Sequence, residues 1–439
     1  MDPTTVEDLL LPVVKYPLLG VQIIGYVPLT VTQTQAKIDS KITPTPQKIK
    51  FLQFRLLGVP VLFQIFTFIT FSIFSYLFFA SDQQRGGLHI HHYSQLSTDL
   101  IIISAMVFFS LINAIGSRIH GLFSVRDTLE FWQMQCRQLA KISKILTHPE
   151  FTDLLKKQVN SQFCWTIFFL LFPMLTIPGF DWVFFKGFGL ESFRVTGLRV
   201  TMEKDSSLFW GVMAWIYFTY SHIFLSNWVT FFVMIYNLVL KCVIEEVETL
   251  RMSDDLQDFV NFDKIDEVTR SYDMILGLVD YFNKKLSVRL IGEVCIGIVW
   301  ILGCTYFAMI SYKTGEMGST LTNLLVAGMA MRSLYTYGNE GENLEQNRIV
   351  LVKALCDVRG TNLGPGGIEK LRFLKEKVIN CKLGITPGNF FTLNRSFVLS
   401  IWSGLITLLL VMAQFRDSDE MGNGNVSRNE VSIVNISVN

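Results

Sequence analysis

Residues 391–415 read FTLNRSFVLSIWSGLITLLLVMAQF. After Arg395 the chain carries no charge through Phe415. A helix of about 20 mostly apolar residues is what a bilayer core requires. The polar residues inside it are ordered: Ser396, Ser400, Ser403, Thr407 and Gln414. At 100° per residue they fall within about 60° of one another. Leu410 and Val411 fill the remaining turn near that face. A narrow hydroxyl-and-amide stripe on an apolar helix suits a water-filled pore closed by an apolar ring. Small polar residues also mark helix–helix packing in membranes, and the stripe alone leaves both readings open.

The rest of the chain agrees with a membrane protein. Hydrophobic residues make up 50% and charged residues 17%, against about 25% charge in a soluble domain. The net charge of +1 argues against nucleic acid as a partner. Met1-Asp2-Pro3 opens no cleavable signal sequence, so the first spanning helix is expected to direct insertion. Seven windows are long and apolar enough to span: 57–80, 99–116, 162–180, 208–240, 287–312, 317–335 and 391–415. A further apolar stretch, 9–33, is broken by Lys15, Pro17 and Pro28 and reads as membrane-associated or re-entrant.

Positive charge orients the spans. Of 38 Lys and Arg residues, 30 fall in 1–56, 117–161, 241–290 and 332–395. The loops 81–98, 181–207 and 313–316 and the tail 416–439 hold the other 8. The expected topology is an all-α protein of seven transmembrane helices, with a cytosolic N-terminus and an extracellular C-terminus, in the plasma membrane. Sequons at Asn425 and Asn435 lie in the outer tail and are expected to be glycosylated. A third, at Asn394, lies at the cytosolic mouth of the last helix. The seven cysteines all fall in helices or cytosolic segments, so no disulfide framework is expected. The orientation is the reverse of a G-protein-coupled receptor.

The outer loops are short and the cytosolic segments long. The fourth window exceeds what a bilayer needs, so its helix is expected to continue into the cytosol. Within 366–381, Ile368, Leu371, Leu374 and Val378 form one apolar stripe. These segments read either as solvated helices or as a bundle holding subunits together. Gly364-Pro365-Gly366-Gly367 and Pro387-Gly388 are the clearest breaks.

No catalytic motif appears: no phosphate loop, HExxH, GxSxG or CxxC. Neither an enzyme nor a cofactor is expected. The fourth helix carries Trp215, Thr219, His222 and Ser226 on one face, with Trp210, Tyr217, Tyr220, Asn227 and Trp228 nearby. Polar groups in hydrocarbon are costly and should face the bundle interior or a cavity. Aromatic faces beside hydrogen-bonding tips suit a small polar ligand such as a sugar, although an interfacial aromatic belt has the same composition. Trp182, Trp300 and Tyr306 complete the candidate ligand-binding set. His89, His91 and His92 cluster in the first outer loop but read as solvated. Glu293, inside the fifth helix, can face a cavity or pair with Arg289 one turn away.

The C-terminal region resembles the end of insect gustatory receptors. Their last helix typically reads Thr-Tyr, five residues, Gln-Phe. Here Thr407, the gap, Gln414 and Phe415 match, and Leu408 replaces the Tyr. The Phe390-Phe391-Thr392-Leu393-Asn394-Arg395 approach is most like the sugar-receptor branch, though Leu409 stands where that branch tends to be acidic. The resemblance implies a ligand-gated, non-selective cation channel built as a homotetramer, with heteromers of related receptors an alternative. It passes monovalent and divalent cations along four copies of the last helix. Ser403, Thr407, Leu410, Val411, Gln414 and Phe415 become the pore candidates, and the ligand pocket lies toward the outside of each bundle. The chain then divides into a cytosolic N-terminal segment (1–56), six helices with the pocket (57–335), a cytosolic anchor (336–389), the pore helix (390–415) and the outer tail (416–439). An odorant-receptor-like subunit needing a co-receptor, or a transporter, are the alternatives.

Overall fold

The computed structural model describes residues 3–23, 26–36, 47–55, most of 58–69, 97–142, 149–184, 193–195, 198–200, 207–252, 258–313, 315, 317–358 and 365–436. Among these, the side chains of 169–222, 251–262 and 417–436 lie outside the description. Helix α1 (Pro3–Ile23) leads into an antiparallel hairpin, β1 (Leu29–Ala36) and β2 (Gln47–Phe54). Then follow α2 (Ser97–Phe123), α3 (Val125–Lys141) and α4 (Pro149–Phe184). A short ribbon, β3 (Phe193–Val195) and β4 (Leu198–Val200), precedes α5 (Ser207–Met252). The chain closes with α6 (Asp258–Lys313), α7 (Met317–Asp357), α8 (Pro365–Asn380) and α9 (Arg395–Ile436).

The central helices α5, α6 and α7 are longer than a membrane is thick. At about 1.5 Å per residue, the 56 residues of α6 span about 84 Å, more than twice the ~30 Å hydrocarbon core. Helix α5 likewise runs on past 240 to Met252, as its long apolar window requires. The charged segments expected in the cytosol are therefore largely continuations of these helices. Among the described residues, three stretches are long and apolar enough to cross a membrane: Ile223–Leu250, Asp263–Lys313 and Arg395–Arg416. The expected spans 99–116, 162–180 and 317–335 are helical within α2, α4 and α7. Residues 59–69 are helical where described, and 70–96, with the three loop histidines, lie outside the described residues.

Helices α5, α6 and α7 pack on one another at the centre. Aromatic rings fill the space between α3, α5 and α6: Trp132 lies 6.1 Å from Trp228, Phe131 5.0 Å from Phe232, and Tyr236 5.9 Å from Phe282. Part of the apolar 9–33 stretch meets protein, whereas Leu19 and Val31 are exposed. Leu10, Val14, Leu18 and Val21 are buried in α1, which packs against α5, α3 and α4. Glu7 ties α1 down, accepting the Trp132 indole N–H at 2.7 Å and the Leu52 backbone N–H at 2.6 Å. Two acceptor bonds satisfy a carboxyl that burial would otherwise make costly.

The stripe in α8 packs as its spacing requires at Leu371, Leu374 and Val378, which are buried, whereas Ile368 in the first turn is exposed. Arg348 of α7 donates to the Val378 carbonyl at 2.7 Å and the Ile379 carbonyl at 3.3 Å. A cation on the last carbonyls of a helix satisfies groups with no intrahelical partner. The connector after α8 is held by Asn283, whose Nδ2 donates to the Gly384 carbonyl and whose Oδ1 accepts the Thr386 N–H. Gly388, at φ +59°, makes the left-handed turn at the expected Pro387-Gly388 break.

Candidate functional site

Helix α9 is the least covered of the apolar helices. Only 11% of its most apolar window is buried, against 94% in Ile223–Leu250 and 67% in Asp263–Lys313. What is buried lies on one face, Val398 and Leu405, about 180° round the helix from the polar stripe. Ser396, Ser400, Ser403, Thr407 and Gln414 are all exposed, as are Leu410, Val411 and Phe415. The stripe is therefore not buried against the other described residues of the chain. Two of its hydroxyls donate to their own helix, Ser400 to the Ser396 carbonyl at 2.9 Å and Thr407 to the Ser403 carbonyl at 3.1 Å. Such back-bonding satisfies the donors and leaves the hydroxyl oxygens facing outward as acceptors.

The start of α9 is clamped to α7. Asn394 caps the helix, its Oδ1 accepting the Phe397 N–H at 2.8 Å. Arg395 donates to Asn339 Oδ1 at 2.8 Å. Helix α7 approaches this corner through two glycines. A Cβ at Gly341 would lie 2.0 Å from the Leu393 carbonyl oxygen, and one at Gly338 2.9 Å from the Asn394 carbonyl oxygen. Beside them Glu340 accepts from Asn237 Nδ2 at 2.9 Å. Burial raises the Glu340 carboxyl above its usual range, opposed by hydrogen bonds from Asn237, Asn339 and Asn343 and the charge of Lys241.

A second feature is a small, half-open cleft between α4, α5 and α7. Gln162, Thr166, Ser226, Asn227, Arg332, Ser333 and Thr336 supply its polar lining, and Ile223 and Met329 the rest. Asn227 Nδ2 donates to Thr166 Oγ1 at 2.8 Å, which in turn donates to the Gln162 carbonyl at 3.0 Å. The Arg332 guanidinium lies 4.8 Å over the Trp165 ring. Among the described residues no cluster of metal-ligating side chains occurs.

The expected ligand residues are divided by this geometry. Trp210, Trp215, Tyr217, Tyr220 and His222 lie on the first turns of α5, and Trp182 near the end of α4; their side chains are outside the description. Ser226 and Asn227, further along α5, reach the cleft. Trp300 and Tyr306 are buried in the core of α6 and do not line it. Asn425 and Asn435 sit on the helical continuation of α9, again with side chains outside the description. Glu293 is buried and pairs with Arg289 at 3.8 Å, and Arg289 also lies 4.8 Å over the Tyr26 ring. Sequence reading missed Arg332 and the two glycines. A lone Arg at the end of the apolar window 317–335 was the available signal.

The chain is similar to known proteins in three ways. A family model described as 7tm Chemosensory receptor matches residues 174–419. Gustatory receptor family protein 3 of Caenorhabditis elegans is 26% identical over 181 residues, which cover 39% of this chain and 39% of that protein. Among solved structures, the insect olfactory receptor OR5 from Machilis hrabei in complex with eugenol superposes with a TM-score of 0.58 at 12% identity. That match covers 91% of this chain and 97% of the receptor. A second structure of the same receptor gives 0.51. At such identity the likeness speaks for the fold.

Proposed function

This chain belongs to the 7tm chemosensory receptor family, and from that premise we propose that it is a gustatory receptor acting as a ligand-gated, non-selective cation channel opened by a sugar. The observation that carries the channel reading is the position of the α9 stripe. Among the described residues, its polar face is turned away from the side on which Val398 and Leu405 are buried. In hydrocarbon such a face needs water or a partner. Four copies of α9 around an axis supply both, with Ser403, Thr407 and Gln414 along the ion path. Leu410 and Val411 sit about 40° and 60° from the stripe centre, so a small rotation brings either inward as an apolar ring that sheds water. Phe415, about 100° away, packs beside the pore.

The N-terminus is cytosolic and the tail outside, from the charge asymmetry. The helix begins at Arg395 rather than at 390 or 391, so Gln414 lies about 29 Å along it, near the outer mouth. The ligand pocket is assigned to the outer half of α5, with Trp215, Tyr217, Tyr220 and His222 as its principal candidates. A ligand opens the ring only through its differential affinity for the two states. Whole-cell recording tests this. Leu410→Ser or Val411→Ser raises resting current, and Gln414→Glu shifts cation preference. Trp215 and His222 substitutions weaken the sugar response at unchanged surface expression. Normal resting current and reversal potential in surface-expressed pore variants would refute the pore assignment. An odorant-receptor-like subunit is the second reading, favoured by the fold it shares with an olfactory receptor. Current evoked only by odorants, or only with a co-expressed partner, selects it.

A further inference from the structure

The channel reading assigns the ligand to α5 and the ion path to α9. Among the described residues, α9 packs chiefly on α7, α6 and α2, and α5 packs most extensively on α7. Movement of α5 therefore has to reach α9 through a third helix. We propose that Asn237, Glu340 and Asn339 form the hydrogen-bonded link that carries movement of α5 to the start of α9, an inference that rests on the channel reading. Asn237 is buried on α5. Its Nδ2 donates to the Glu340 carbonyl at 3.1 Å and to the Glu340 carboxyl at 2.9 Å, and its Oδ1 accepts from Asn347 Nδ2 at 3.3 Å. All three partners lie on α7.

From Glu340 the link runs on to the pore helix. Asn339 and Asn343 also hydrogen-bond to the Glu340 carboxyl. Asn339 Oδ1 in turn accepts from Arg395, from Nε at 3.2 Å and from Nη2 at 2.8 Å. One amide thus gives its N–H to the acid and its oxygen to the cation, as a primary amide allows. The order is α5, Asn237, Glu340, Asn339, Arg395, α9. Apolar helix faces slide past one another by small shear, whereas a hydrogen bond weakens steeply away from its preferred distance and angle. Pulling Asn237 off Glu340 leaves a largely buried carboxyl short of a donor, which costs more than the bond itself contributes. Helices α5 and α7 are accordingly held together at this level. The far side has no slack either, because Gly338 and Gly341 bring the α7 backbone against the Asn394 and Leu393 carbonyls. The α7 corner and the start of α9 move as one.

Hydrogen exchange of the purified full-length protein reads the link without any current. Asn237→Asp sets two carboxyls against each other and should raise exchange at 395–402 about tenfold, the effect of losing one hydrogen bond to a charged group. Adding Glu340→Gln restores a donor–acceptor pair of reversed polarity and should bring exchange back to within about twofold of the parent. Unchanged exchange at 395–402 in Asn237→Asp overturns the link, as does failure of the paired substitution to restore it. If Asn237→Asp fails to fold, Glu340→Gln and Arg395→Ala, the latter at an exposed position, decide the matter. Links in series make the double variant no looser at 395–402 than Arg395→Ala alone, and additive effects overturn the order. In cells under a panel of sugars, bitter compounds and odorants, Asn237→Asp lowers evoked current at equal surface expression and the paired substitution restores it. Evoked current untouched by Asn237→Asp overturns the gating role even where exchange responds. Failure of the channel reading shows separately, as normal resting current in surface-expressed Leu410→Ser and Val411→Ser, and takes the gating role with it.

Discussion

Replacing Gly341 with alanine tests whether α7 and the start of α9 are fitted backbone to backbone. The new Cβ would stand 2.0 Å from the Leu393 carbonyl oxygen and 3.1 Å from its carbon, where ordinary contact begins near 3.4 Å. The obstacle cannot rotate away. It is main chain, and the Leu393 N–H is itself bonded to the Ile385 carbonyl at 2.8 Å. The corner must open by more than an ångström, and overpacking of this kind costs about 1–3 kcal/mol. Helix propensity acts the other way, favouring alanine over glycine by up to about 1 kcal/mol. The steric term should win at Gly341. At Gly338 the nearest atom is the Val398 Cγ2 methyl at 2.5 Å, which can partly yield, so the loss is smaller. At Gly328 on the same helix a Cβ meets nothing within 4 Å, and alanine is neutral or stabilising. Thermal unfolding followed by fluorescence-detected size exclusion ranks the three, and ligand-evoked current reports whether α9 is still seated. If Gly341→Ala melts and conducts like the parent while Gly328→Ala does too, the close approach is not a constraint and the clamp argument fails.

Three further outcomes follow from named groups. Asn425 or Asn435 accepts a glycan and Asn394 does not. Gel shifts on single Asn→Gln variants check this, and a glycan that depends on Asn394 alone would invert the topology. Because Asn394 also caps α9 through the Phe397 N–H, its replacement by alanine costs about 1 kcal/mol whatever the orientation. Glu340, whose carboxyl burial raises above 4.5, contributes stability in its protonated form. That contribution is full below 4.5 and is lost as pH climbs through the raised folded value. Glu340→Gln should therefore gain on the parent as pH rises from acidic toward neutral and then hold a constant margin; a pH-independent difference would mean that the carboxyl titrates normally.

The membrane class, the long helices and the polar stripe were legible from residues alone, because each is a local property. A run without charge declares its solvent, and a spacing of 4, 3 and 4 declares one helical face. The break at Pro387-Gly388 was equally plain, since φ preference belongs to the residue itself. The Glu293–Arg289 pair was legible for the same reason, one turn being a local distance. Composition could not tell what an apolar side chain touches. Residues 9–33 read as a membrane-associated or re-entrant segment from their composition, and only the structure shows that Leu10, Val14, Leu18 and Val21 are buried in α1 and that Glu7 reaches Trp132. Leu371 and Ile368 share a spacing and not a fate, because only one of them has a neighbouring helix above it. Which side of α9 is free, that Arg332 stacks on Trp165, and that Gly341 meets the Leu393 carbonyl depend on contacts between residues far apart in the chain. No periodicity encodes such pairings. They follow from how helices of these lengths pack, and only the tertiary structure decided them.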